Sequence, residues 1–161
     1  MQMNDGQAGP LKRPEIFVSY ARKDRRYLDR LRLELKKFER QGLIQAWYDG
    51  EIIAGSRWQD KIVNHLEKAE IIVFLVSPDL IASDYINRIE LQTALKRDER
   101  GEAIVIPVII RPTDGWKFKL GDLQALPEDS KPVTSWANRD EAWSSVSRGL
   151  KRVLAARASD K

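Results

Sequence analysis

Residues 71–91 read IIVFLVSPDLIASDYINRIEL. The first six, Ile71 to Val76, are apolar at every position, which a strand tolerates only when both of its faces are buried, so this segment is expected at the centre of a sheet. Ser77-Pro78-Asp79 ends the strand, and a helix is expected to begin near Ser83. Upstream, Trp58, Ile62, Leu66 and Ala69 mark one apolar face of a helix, with Ser56 as its cap and Gln59 completing a capping box. Before it lie the two-glycine loop Asp49 to Gly55, a short strand near Ala46 to Tyr48, and a helix with Leu28, Leu31, Leu35 and Phe38 at three- and four-residue spacing, ending near Gly42. The first strand is Ile16 to Tyr20.

Downstream, Ala103 to Ile110 reads as a strand whose Pro107 cannot donate a ladder hydrogen bond, placing it at a bulge or near an edge. Asp114 to Leu126 reads as a polar connection with a weak helix, and a fifth strand is expected near Pro132 to Thr134. Asn138 and Glu141 then cap a last helix carrying Trp143, Val146, Leu150 and Val153 inward. Strands alternating with helices define an α/β class, and right-handed crossovers favour a doubly wound parallel sheet that binds ligands beyond the carboxyl ends of its strands. Four segments meet that rim: Tyr20 to Asp24, Asp49 to Ser56, Ser77 to Asp84, and Arg111 to Gly115.

At 161 residues the chain is sized for one core. Residues 1–14 are rich in Gly, Asn, Gln and Pro and read as a flexible leader, residues 15–157 as the domain, and 158–161 as a flexible tail. Cysteine is absent, which removes thiol nucleophiles, disulfides and cysteine-containing metal sites, and a single histidine, His65, leaves a zinc site short of ligands. His65 borders an apolar helix face and reads as structural, and Trp47 reads as core. The longest apolar run is far shorter than the roughly 20 residues of a membrane span, and no apolar signal core opens the chain, so a cytoplasmic location is expected and a membrane partner is not. The net charge of +4 is concentrated in Arg22 to Arg40, which holds nine basic and four acidic residues. Because the signs are mixed and no nucleic-acid motif accompanies them, a solvated helix face is the expected reading, with no nucleic-acid partner.

The segments FVSYARKD (Phe17 to Asp24), WYDGEIIAGSRW (Trp47 to Trp58), IIVFLVSPDLIASDYINRIEL (Ile71 to Leu91) and VIPVIIRP (Val105 to Pro112) together resemble a bacterial TIR (Toll/interleukin-1 receptor) domain. LQALP at Leu123 to Pro127 and KPVTSW at Lys131 to Trp136 extend the likeness over nearly all of Glu15 to Ala156. The resemblance implies a flavodoxin-like five-stranded parallel sheet with helices on both faces, and a loop after the second strand that docks on neighbouring TIR domains. It also implies one of two roles. Some members are adaptors acting only through protein contacts; others, active on self-assembly and often partnered with a sensor in anti-phage defence, split NAD into nicotinamide and ADP-ribose or a cyclic isomer. NAD is then the substrate, and no further cofactor is expected.

Enzymatic members carry a glutamate on the helix after the third strand, and Glu90 occupies that place. At about 100° per residue it lies on the line joining Ile86 and Ala94, a carboxylate interrupting an inward stripe. The plainer alternative is an ordinary ion pair with Arg97 or Arg57. The other positions implied to meet the substrate are Tyr20, Arg22, Asp49, Arg57, Ser83 and Tyr85, with packing as the competing role for Tyr20. Cleaving a bond to an already cationic pyridine needs no general acid, so one carboxylate suffices to stabilise charge developing on the ribose. Many enzymatic relatives place an aromatic four residues before that glutamate; here Tyr85 stands five before it. On an α-helix five residues leave a side chain about 140° away, so Tyr85 reaches the site only if the helix starts late.

Overall fold

The computed structural model of the chain describes residues 13–48 and 57–159. Its centre is a parallel sheet of four strands, β1 (Glu15–Ser19), β2 (Gln45–Tyr48), β3 (Ile71–Val76) and β4 (Ile104–Ile109), in the order β2-β1-β3-β4. Strand β3 is central, between β1 and β4, with all six residues buried. The two-residue strand period sorts the side chains. Ile71, Val73 and Leu75 enter one apolar layer with Ile16, Val18, Ile106 and Val108, and Ile72, Phe74 and Val76 enter the opposite layer with Phe17, Val105 and Ile109. Each such side chain contributes roughly 1.5–3 kcal/mol on full burial, which is why an unbroken apolar run selects the centre of the sheet.

Helices cover the two faces unequally. On the first layer lie α1 (Arg25–Arg40), through Leu28, Leu31, Leu35 and Phe38, and α6 (Arg139–Ser159), through Trp143, Val146 and Leu150. The Asn138 side chain caps α6 by accepting from the Glu141 amide at 3.1 Å. On the second layer lies α2 (Trp58–Lys68), with Ile62 and Leu66 fully buried. The expected cap Ser56 lies outside the described residues, and Arg57, at the N-cap position, makes no side-chain cap bond. After β3 come the short α3 (Pro78–Ala82), a π-helical turn Ile86–Leu91, and α4 (Gln92–Glu99), running on without a break from that turn. The last short helix, α5 (Trp116–Leu120), follows β4.

The expected fifth strand is not formed among the described residues. Val133–Ser135, where it was placed, is a 3-10 turn, and the sheet is extended past β4 by a single parallel bridge between Val108 and Leu126. Pro127 directly follows Leu126 and Pro132 directly precedes Val133, and each lacks the amide hydrogen a ladder needs. Pro107 itself sits as anticipated on the edge side of β4: its carbonyl accepts from the Leu126 amide at 2.8 Å, so its missing donor faces outward too. Leu126 is then held by α6, whose Gly149 has no room for a Cβ against the Leu126 side chain. Trp47 is half-buried and stacked between Phe17 (5.5 Å) and His65 (4.1 Å), and His65 meets Glu15 at 2.8 Å, so both have the structural roles expected.

Candidate active site

Strands β1 and β3 are neighbours, yet the chain leaving β1 turns to α1 on one face while the chain leaving β3 turns to α3 and α4 on the other. Opposite departures open a crevice at the carboxyl ends of two adjacent strands, where doubly wound sheets bind ligands. A cleft of about 500 Å³ occupies that place, lined by Tyr20, Ala21, Arg22, Lys23, Arg25, Asp79, Ser83, Tyr85, Ile86 and Glu90. Five of the seven residues proposed from sequence, Glu90, Tyr20, Arg22, Ser83 and Tyr85, are therefore brought together. Asp49 lies outside the described residues. Arg57 is not among the residues lining this cleft: it is exposed and borders a separate shallow depression with Asp60, Lys61 and Asn64.

Glu90 is 5% exposed at the cleft wall. Arg97, one of the cations offered as its ion-pair partner, is occupied with tying α4 to the end of α2, donating to the carbonyls of Leu66 (2.7 Å) and Ala69 (2.5 Å). The anchoring upstream is equally specific. The Ser83 hydroxyl accepts from the Ile86 amide at 3.2 Å, and the Asn87 side chain donates to the carbonyls of Ile81 and Ser83, each at 2.7 Å.

The π-turn between these anchors answers the spacing problem. Bonding from each residue to the fifth along, rather than the fourth, widens the turn by one residue. A side chain five positions away then returns to nearly the same side, as the fourth does on an α-helix. Tyr85 thus shares the cleft with Glu90 although the helix does not start late. The roughly 140° expected for five residues holds for α geometry and not for a turn wound this way. Tyr20, 8% exposed, has the packing role weighed for it, as part of the first apolar layer, and it also lines the cleft wall.

Beneath the cleft lies a charged network not anticipated from sequence. Asp24, 1% exposed, accepts from the Ser77 hydroxyl at 2.5 Å and from Arg111 Nε at 3.0 Å. Arg111 also donates to Asp79 at 2.5 Å. Burial alone would lower the Arg111 pKa, but the hydrogen bond to Asp79 and the charge of Asp24 outweigh it and raise it, so the guanidinium is permanently charged. One cation at the end of β4 thereby ties down the turn after β1 and the start of α3, the two lips of the cleft. All three belong to the rim segments, and that membership was the only signal in the sequence.

Among the described residues no group of His, Cys, Asp and Glu is arranged to hold a metal ion, and no helix is long and apolar enough to cross a membrane. What is assembled is a buried carboxylate, two tyrosines and a cationic lip of Arg22, Lys23 and Arg25. Such a cleft can stabilise positive charge at one end and bind anionic oxygens at the other.

A four-stranded parallel sheet covered on both faces, with its cleft at the switch point, defines a flavodoxin-like α/β domain. The family profile described as TIR domain matches residues 16–144, and the chain belongs to that family. It is 42% identical over 140 residues to "Uncharacterized protein y4lF" of Sinorhizobium fredii (strain NBRC 101917 / NGR234), covering 87% of this chain and 43% of that protein. The chain thus spans under half the length of this relative. Among solved structures, the TIR domain of the Toll-related receptor TRR-2 from Hydra magnipapillata superposes with a TM-score of 0.60. That match covers 87% of this chain and 97% of the other at 20% identity, a likeness of fold.

Proposed function

We propose that this TIR domain is an NAD-cleaving enzyme, with Glu90 as its central catalytic group. The observation that carries the reading is the burial of Glu90 in the wall of the switch-point cleft, beside Tyr85 and facing the lip of Arg22, Lys23 and Arg25. A carboxylate in an otherwise apolar helix stripe is costly to desolvate, which is the kind of cost a site bears for function.

In the reaction, the bond between ribose C1′ and the pyridinium nitrogen breaks, and its electron pair leaves with neutral nicotinamide. Positive charge grows on the ribose ring, where the Glu90 carboxylate accepts hydrogen bonds from the sugar hydroxyls and stabilises it. Water adds at C1′ and releases one proton, giving ADP-ribose; attack by a nitrogen of the adenine base instead gives a cyclic isomer. The cationic lip suits the pyrophosphate, and the two tyrosine rings in the cleft wall suit the nucleoside portions. By this reading the domain acts with other copies of itself, activated by self-assembly in bacterial defence signalling, and responds to a sensor domain or protein. Incubating the full chain with NAD and measuring free nicotinamide tests the proposal: release that is lost in Glu90→Gln supports it, and none from the parent protein across concentrations refutes it.

A further inference from the structure

The outer edge of the sheet carries a second charged surface. A groove of about 570 Å³ runs between α1 and the edge strand β2, and four cations line it: Arg13, Arg32, Lys36 and Arg40. Among the described residues none of the four is in an ion pair, and Arg32 instead covers the Tyr48 ring at 4.5 Å. The contrast lies within one helix. Elsewhere on α1, Arg25 is paired with Asp29, and both Arg30 and Lys37 with Glu34. Like charges four residues apart cost a helix a few tenths of a kcal/mol each, so the spacing of this stripe gains nothing for folding.

The spacing of the stripe is informative. Arg32, Lys36 and Arg40 repeat every four residues, about 6 Å along the helix axis. Side chains on one face of an extended strand repeat at about 6.7 Å. Beside the stripe, no described strand pairs with the outer edge of β2. The Gln45 amide donates inward to the Pro14 carbonyl at 2.9 Å, so alternation along the strand turns the Ala46 amide outward. A sheet edge next to a matched row of cations is complementary to one kind of ligand.

We propose that this groove binds an acidic, extended segment of a partner protein, which adds as a strand to the edge of β2 and places alternate carboxylates on Arg32, Lys36 and Arg40. A nucleic-acid strand fits less well. Asp29 and Glu39 also line the groove and interrupt its positive charge, and the Tyr48 ring, covered by Arg32, is not offered for base stacking.

The test uses the full chain and fluorescence anisotropy with a labelled octapeptide of alternating Glu and Thr. Its controls are the same peptide with Gln for Glu, the Glu peptide N-methylated at every residue, and an eight-nucleotide oligothymidylate. Binding of the Glu peptide should exceed that of both control peptides and the oligonucleotide at least tenfold, and fall at least tenfold in Lys36→Glu/Arg40→Glu. Both residues are exposed, so melting of that variant should match the parent. Equal binding of the Gln peptide, or an unaffected double variant, overturns the site. Equal binding of the N-methylated peptide overturns strand addition, and tighter binding of oligothymidylate makes the groove a nucleic-acid surface.

Discussion

Glu90 is where a single residue separates function from folding. Gln preserves its shape and removes its charge, so Glu90→Gln is expected to reduce nicotinamide release by a factor on the order of 10² or more, with melting unchanged or slightly raised. If Glu90 served only an ion pair, the pattern reverses, with a small loss of stability and no selective loss of turnover; measuring both on one preparation decides it. Arg111 poses the opposite experiment. Removing its guanidinium leaves Asp24 buried with only the Ser77 hydroxyl among the two partners described, and breaking a buried pair in this way costs roughly 3–5 kcal/mol. Arg111→Met should therefore lower stability by about 3 kcal/mol in chemical denaturation, and retention of parent stability would show that the network contributes nothing to holding the cleft lips.

At the level of elements, the turn Ile86–Leu91 behaves as an α-helix with one residue too many. Deleting exposed Arg88 should let it rewind to α while shortening the Tyr85 to Glu90 spacing to four, which on an α-helix again places both on one side. The deletion variant is expected to keep turnover within about tenfold and to melt no lower than the parent, since the better α bonding returns. A folded deletion variant with no turnover would mean that the wide turn itself is needed.

The contact between α1 and α6 supplies an effect of pH. Burial would raise the pKa of Glu34, but hydrogen bonds from Arg30 and Lys37 outweigh it and lower it below the ordinary 4.5. Arg30 also reaches Asp140 at the start of α6, at 3.1 Å. A depressed carboxyl contributes stability that is fully present above its unfolded value and lost as pH falls through its folded one. Melting temperature should accordingly fall as pH drops below about 4.5, and Glu34→Gln should show a lower plateau near neutrality with a shallower acid limb. Parallel curves for the two proteins would remove Glu34 from the account.

For the whole molecule, the question is whether one copy suffices. Ile52 and Ile53, in the loop between Gly50 and Gly55, are the apolar residues that motivate a contact between copies, and they lie outside the described residues. If that loop completes a neighbour's site, NAD cleavage should rise more steeply than protein concentration and increase with crowding agents. Ile53→Asp should reduce self-association in sedimentation and turnover together. Specific activity constant over a hundredfold dilution would instead establish a self-contained site.

The parts legible in the sequence are those encoded by short-range periodicity. Six unbroken apolar residues located β3, the three- and four-residue stripes located α1, α2 and α6, and Asn138 announced its cap, because burial on one face or two is written into the order of neighbouring side chains. Ordered strands and crossovers also placed Tyr20, Arg22 and Ser83 on one rim, while Glu90, which joins them in the cleft, was singled out by the family resemblance and not by strand order. What only the tertiary structure decided depends on partners distant in the chain. Leu126 meets Val108 and Gly149, and two prolines reduce the fifth strand to one bridge. Anchors at Ser83 and Asn87 on one side and Arg97 on the other hold the helix between them, π-wound from Ile86, turning Tyr85 to Glu90's side. Arg111 finds Asp24 across 87 residues. Local pattern specifies which face a residue presents, while helix register and ion-pair partners follow from whatever the folded chain sets opposite it.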